Sequence, residues 1–152
     1  MKKNLFLFSL LFSMLLILTG CGNKKVITTD KFIDITEKNG FVTKDVLDQF
    51  SNTDVLDATI ANYNSDFQLE FYVLDSTEGA KEMFLNNKNI FETYKGSVSK
   101  YSSTDIGNSS TYVLESSGYY MYLSRVDNTL LYVKVDDIYK ERVKSIIKEL
   151  GY

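Results

Sequence analysis

The chain of 152 residues contains no histidine, no tryptophan and no proline, and it has a single cysteine, Cys21. Each absence closes a class of chemistry. Without histidine there is no side chain whose ordinary pKa lies near neutrality, and the commonest transition-metal ligand is missing. Ser-His-Asp and Cys-His nucleophilic sites are excluded on the same ground. A lone cysteine cannot form an intramolecular disulfide. The glycines are few and scattered, and Gly79, Gly96, Gly107 and Gly118 stand alone, so there is no glycine-rich phosphate loop. Basic charge is also short: 17 Lys and Arg stand against 20 Asp and Glu, a net charge of −3. An acidic chain has no general attraction for phosphate backbones, which argues against nucleic acid as a partner.

What is abundant is tyrosine and phenylalanine, 11 and 10 respectively. A long apolar run occurs once, at the N-terminus. Met1-Lys2-Lys3-Asn4 is a short positive head, and Leu5 to Leu18 is apolar apart from Ser9 and Ser13. As a helix this run would span roughly 21 Å at ~1.5 Å per residue, short of the ~30 Å hydrocarbon core of a bilayer. It reads as the apolar region of an export signal.

The residues that follow, Leu18-Thr19-Gly20-Cys21, resemble the lipobox of bacterial lipoproteins. The resemblance implies a diacylglyceryl group on the Cys21 sulfur, removal of residues 1–20, and attachment to the extracytoplasmic face of the cell membrane. Leu18, Thr19 and Gly20 would form the recognition segment, and the only bound group expected is the covalent lipid on Cys21. More than one acyl chain is needed for stable anchoring, since each buried methylene contributes ~0.8 kcal/mol. Loss of Lys2 and Lys3 with the signal would take the net charge from −3 to −5. Residues 21–27 read as a lipidated cysteine and a short polar tether. From Cys21 to Thr28 the tether reaches at most about 23 Å at ~3.3 Å per residue. Gly22 is not the aspartate that retains Gram-negative lipoproteins at the inner membrane, and a Gram-positive membrane is the expected setting.

Residues 28–152 are expected to form one domain. A helix is predicted from about Asp30 to Asn39, capped by Thr28 or Thr29 and stopped by Gly40. Strands are predicted near 41–46, 55–61 and 67–74. The last alternates, with Phe67, Leu69, Phe71 and Val73 on one side. Asp75-Ser76-Thr77-Glu78 reads as a capping box opening a helix that runs to about Lys95. Its apolar face is Ala80, Met83, Phe84, Asn87, Phe91 and Tyr94. After a polar stretch, 97–110, expected to hold one strand and a loop, come strands at 111–116, 119–126 and 129–135, joined by Ser117-Gly118 and Asp127-Asn128. A final helix, capped by Asp136 or Asp137, buries Tyr139, Val143, Ile146, Ile147 and Leu150.

The expected class is α+β: an antiparallel sheet of about five to seven strands with about three helices, in the order α-βββ-α-ββββ-α. The helix-then-strands order of 28–75 and 76–135 hints at a weak internal duplication. The whole also resembles uncharacterised small lipoproteins of Gram-positive bacteria. Gln68-Leu69-Glu70-Phe71-Tyr72, Ser124-Arg125-Val126-Asp127-Asn128-Thr129 and Ile146-Ile147-Lys148-Glu149-Leu150-Gly151-Tyr152 carry that likeness. It implies no activity.

Two-residue turns at 117–118 and 127–128 fix a register. Tyr112, Met121, Leu123, Arg125, Tyr132 and Lys134 then share one sheet face, and Tyr120, Tyr122, Leu131, Val133 and Val135 share the other. Both faces are apolar and ask for cover. If the first is partly open, its aromatic residues rimmed by Arg125 and Lys134 form a candidate binding surface for an envelope protein, a peptide or a glycan. The expected function is therefore a non-enzymatic binding or interaction module. The alternative is a hydrolase of wall sugar or peptide in which carboxylates such as Glu37, Glu70, Glu82 and Glu115 converge. Asp45, Asp48, Asp54 and Asp57 lack the spacing and glycine of a calcium loop and read as a solvated acidic edge, so no metal is expected.

Overall fold

The computed structural model describes residues 22–152. The export signal and the lipidation site at Cys21 lie outside the described residues. The elements in chain order are α1 (Thr29–Lys38), β1 (Val42–Asp45), a 3-10 turn (Leu47–Phe50), β2 (Val55–Tyr63), β3 (Phe67–Leu74) and α2 (Thr77–Glu92). They continue with β4 (Lys100–Ile106), β5 (Ser109–Ser116), β6 (Tyr119–Val126), β7 (Thr129–Asp136), a 3-10 turn (Asp137–Tyr139) and α3 (Lys140–Leu150). The fold is α+β. Seven strands form one antiparallel sheet in the order β1-β2-β3-β7-β6-β5-β4.

That order follows from the connections. β1 to β3 form one meander and β4 to β7 a second. α2 carries the chain from the middle of the sheet to its far edge, and β7 then returns beside β3. The turns are suited to their place. Ser117 (φ 55°) and Gly118 (φ 82°) are both left-handed, as a tight hairpin requires, and Asp127 (φ 49°) opens the turn between β6 and β7. The register matches the sequence reading: Val126 opposes Thr129, Tyr122 opposes Val133, Tyr112 opposes Leu123 and Leu114 opposes Met121.

Two cores result. On one face α1 and α3 cover Leu69, Phe71, Tyr120, Leu131 and Val133, with Phe32 stacked on Phe71 at 5.1 Å between ring centres. Val143, Ile146, Ile147 and Leu150 supply the buried face of α3. On the other face α2 sets Ala80, Phe84 and Phe91 against Tyr112, Leu114, Met121, Leu123 and Leu130. Both helices α1 and α2 begin on hydroxyl caps: the Thr28 and Ser76 oxygens accept from the amides of Lys31 and Gly79. Among the described residues no helix is long and apolar enough to cross a membrane.

Three expectations need correction. The residue at the third position of α2 is Gly79, because Ser76 rather than Asp75 is the cap, so there is no reciprocal capping box. The last helix opens with a 3-10 turn over 137–139, without a side-chain cap. The two halves are not related by a symmetry of the sheet. A two-fold axis through the antiparallel β3–β7 pair would put both leading helices on one face, whereas α1 and α2 lie on opposite faces.

Phe91 is fully buried between α2 and the sheet, with its ring 5.0 Å from that of Tyr132. Phe91→Ala is expected to lower stability by about 3–5 kcal/mol, through lost transfer energy plus an unfilled cavity. Urea unfolding followed by far-UV circular dichroism measures it.

Candidate functional sites at the two ends of the sheet

The six residues of the candidate surface do share one face, but α2 covers its centre. Tyr112 is 1 % exposed, Met121 and Leu123 are 0 %, and Arg125 is 3 %. The expected open aromatic patch is therefore absent. The physical reason is the apolar stripe of α2, which needs the same surface for its own burial. Tyr132 and Lys134 are half-buried at the margin. Lys134 lies over the rings of Tyr94 (3.9 Å) and Tyr119 (4.9 Å), which shield its stem. Polar openings lie at both ends of the strands.

The first end carries the turns between β4 and β5 and between β6 and β7. Here residues 22–24 lie against the fold. The Lys24 amide donates to Asn108 Oδ1 and Asn108 Nδ2 donates to the Lys24 carbonyl, both at 2.9 Å. Asn108 Nδ2 also donates to Asp127 Oδ2 at 2.8 Å, and the Asp127 amide donates to the Asn108 carbonyl. Partial burial lowers the Lys24 ammonium from its ordinary value. A methyl group on Gly107 (φ +58°) would meet Asn23 Oδ1 at 2.5 Å and the Gly22 carbonyl oxygen at 3.1 Å, so the absence of a side chain lets residues 22–23 pass close to this turn.

Beside this contact runs a groove of about 410 Å³ between α2 and the β4–β5 hairpin. Arg125 forms part of its wall. Its Nη1 donates to the carbonyls of Asn108 and Asp127 (both 3.2 Å), and its Nη2 donates to Ser110 Oγ (3.0 Å). Its Nε is buried without a partner. Lys81, Phe84, Leu85, Lys88 and Asp105 complete the walls that matter.

The second end carries the β2–β3 and β5–β6 turns. A polar hollow of about 440 Å³ opens there, lined by Asn64, Asp66, Gln68, Tyr119, Lys134 and Asp136. Sequence reasoning reached Arg125 and Lys134 but not their neighbours, because the groove and hollow are built from turns whose meeting is a matter of topology.

Three of the four glutamates offered for catalysis are engaged locally. Glu37 accepts from Thr43 (2.6 Å), Glu115 pairs with Lys140 (2.7 Å), and Glu70 accepts from Gln68 Nε2 (2.8 Å) and the Tyr72 hydroxyl (2.5 Å). Glu82 is exposed on α2. Asp45 accepts from the Leu47 amide and Asp57 from the Thr29 hydroxyl. Among the described residues no cluster of three acidic or cysteine side chains could hold a metal ion.

No protein-family profile matches the chain, and no curated protein matches it. Among solved structures it is similar to a GTP-binding regulator from Thermotoga maritima, with 21 % identity, a TM-score of 0.51, and 82 % of this chain and 88 % of the other covered. It also aligns with the extracellular domain of PknH from Mycobacterium tuberculosis, at 6 % identity and a TM-score of 0.38 over 82 % and 92 % of the two chains. The first likeness shows the fold alone, and the second is too distant to carry an argument.

Burial pushes the hydroxyls of Tyr112 and Tyr132 up from 10.0 to about 12; Glu92 adds to the effect at Tyr112 and Glu70 at Tyr132. A folded pKa above the unfolded one leaves stability intact below pH ~10 and removes it as pH rises through the folded value. Alkaline titration followed by tyrosinate absorbance should show both ionising near pH 12, with stability falling from about pH 10 upward.

Proposed function

We propose that this chain is a lipid-anchored, extracytoplasmic binding module without enzymatic chemistry. Diacylglyceryl-Cys21 holds it to the membrane, and the polar hollow at the far end of the sheet takes an envelope partner, either a glycan or a peptide. The observation that carries this reading is the opposition of the two ends. Residues 22–24 are fixed by Asn108 at one end, and the hollow of Asn64, Asp66, Gln68, Tyr119, Lys134 and Asp136 opens at the other. Strands of eight residues separate them by roughly 26 Å at ~3.3 Å per residue. A lipid on Cys21, one residue before Gly22, keeps the near end at the bilayer and turns the hollow toward the wall.

The lining suits a polar ligand. Amide, carboxylate and ammonium groups provide donors and acceptors, and Tyr119 offers a flat apolar surface with a polar tip, as sugar or peptide recognition requires. The carboxylate-hydrolase reading is the weaker one, since Glu37, Glu70 and Glu115 already serve neighbouring side chains.

Cys21→Ser is expected to move the protein from the membrane fraction to the soluble fraction without changing its fold. A variant that stays membrane-bound contradicts the anchor. Tyr119→Ala with Lys134→Ala should weaken binding of soluble wall glycan and peptide fragments about tenfold while costing no more than ~1–2 kcal/mol of stability. Isothermal calorimetry reads the first and urea unfolding the second. Cleaved fragments in the same sample would favour the hydrolase instead.

A further inference from the structure

The groove at the tether end has a different character from the distal hollow. Arg125 is 3 % exposed, yet no carboxylate among the described residues lies within ion-pair distance of it. Its partners are two carbonyls and a hydroxyl, and its Nε has none. Two acids of this network are reached only indirectly: the Ser110 hydroxyl donates to Asp105 Oδ1 at 3.0 Å, and Asn108 Nδ2 donates to Asp127 Oδ2 at 2.8 Å. Removing a guanidinium from water without a counter-ion is costly, commonly several kcal/mol. The same wall carries Lys81 and Lys88 from α2. Lys81 shares an exposed pair with Glu78 (3.1 Å), a weak interaction. Lys88 takes part in no ion pair among the described residues, and Glu92, one turn further on, is held by Lys95 at 2.5 Å. The lining of the groove therefore holds three cations, Arg125, Lys81 and Lys88, and one carboxylate, Asp105, in a chain whose net charge is negative.

We propose that this groove binds a phosphate ester, with its oxygens between Arg125, Lys81 and Lys88 and its carbon portion against Phe84 and Leu85. Two further features favour the assignment. The Arg125 Nε–H is the guanidinium nitrogen left without a protein acceptor, and two flexible ammonium groups can close on the remaining charge. The volume, about 410 Å³, holds a group the size of glycerol phosphate rather than a bare ion. Asp105, exposed on β4, is placed to accept from a ligand hydroxyl.

The phosphate has two chemical sources: the headgroup of an anionic phospholipid, or a soluble phosphate ester. The groove does not depend on the anchor, but the lipid source does rest on it, because residues 22–24 and the groove share one end of the sheet. In the lipid case the anchored protein would bind its own membrane twice.

The test uses the full chain in a non-ionic detergent, titrated with glycerol phosphate and followed by ¹⁵N NMR at the Arg125 Nε–H. A saturable shift is expected at Arg125, with accompanying shifts at Ser110 and Lys88. Lys81→Glu with Lys88→Glu, both on the helix surface and tolerant of change, should weaken binding about tenfold or more. Arg125→Lys should weaken it as well if it folds. The double lysine variant keeps the test open if it does not fold. Vesicles of phosphatidylglycerol that compete with glycerol phosphate, where phosphatidylcholine vesicles do not, support the site and identify the headgroup as source. Saturable binding without such competition supports the site with a soluble ligand. No saturable shift at Arg125, or binding unchanged in the double variant, overturns the proposal.

Discussion

The hairpin of β6 and β7 is apolar on both of its faces, and this single constraint organises the rest of the molecule. Tyr120, Tyr122, Leu131 and Val133 point one way, and Met121, Leu123 and Leu130 the other, all buried. A side chain of this size contributes ~1.5–3 kcal/mol when fully removed from water, so neither face can be left open. One face is closed by α1 and α3, and the other by α2, with Val46 and Phe50 of the first 3-10 turn region packed beside it. α2 lies across β6 and β7, and the outer strand β4 is left exposed on both sides.

The polar openings on which the functional proposals rest lie at the two ends of the sheet. The near end is held together by polar contacts between turns: Asn108 joins residue 24 to Asp127, and Arg125 gathers the carbonyls of Asn108 and Asp127. The same contacts that order the N-terminal segment also set the wall of the cationic groove. The far end is assembled from the β2–β3 turn and the termini of β6 and β7, with Lys134 shielded by Tyr94 and Tyr119. Under the proposed lipid anchor, the near end would face the membrane and the far end the envelope.

Much of this architecture was legible in the residues. Two-residue turns and strict alternation set the register of β5, β6 and β7, and the stripe Ala80, Phe84, Phe91 marked the inner side of α2. Which face α2 would take was not legible, since both faces are apolar and the sequence carries no distance information. Arg125 read as the rim of a patch because its strand position is correct. Its burial comes from turn carbonyls at Asn108 and Asp127, which only the closed sheet brings to it. Asn108 itself sat in a polar stretch that looked like ordinary loop. Its tie to Lys24 spans 84 positions and leaves no local pattern.

α2 seals the face that carries Tyr112, Met121 and Leu123, and the openings at the two ends follow from that seal. Cys21 is the only natural thiol, so a Cys21→Ser chain bearing Met121→Cys reports that seal directly through its rate of reaction with a thiol reagent. A Leu85→Cys chain, altered at an exposed position of the same helix, serves as the reference. The structure predicts that the cysteine at 121 reacts only as fast as the protein unfolds, while the cysteine at 85 reacts at once. Rapid labelling of both under native conditions would mean that the face is open and that the aromatic surface, not the two ends, is where partners bind.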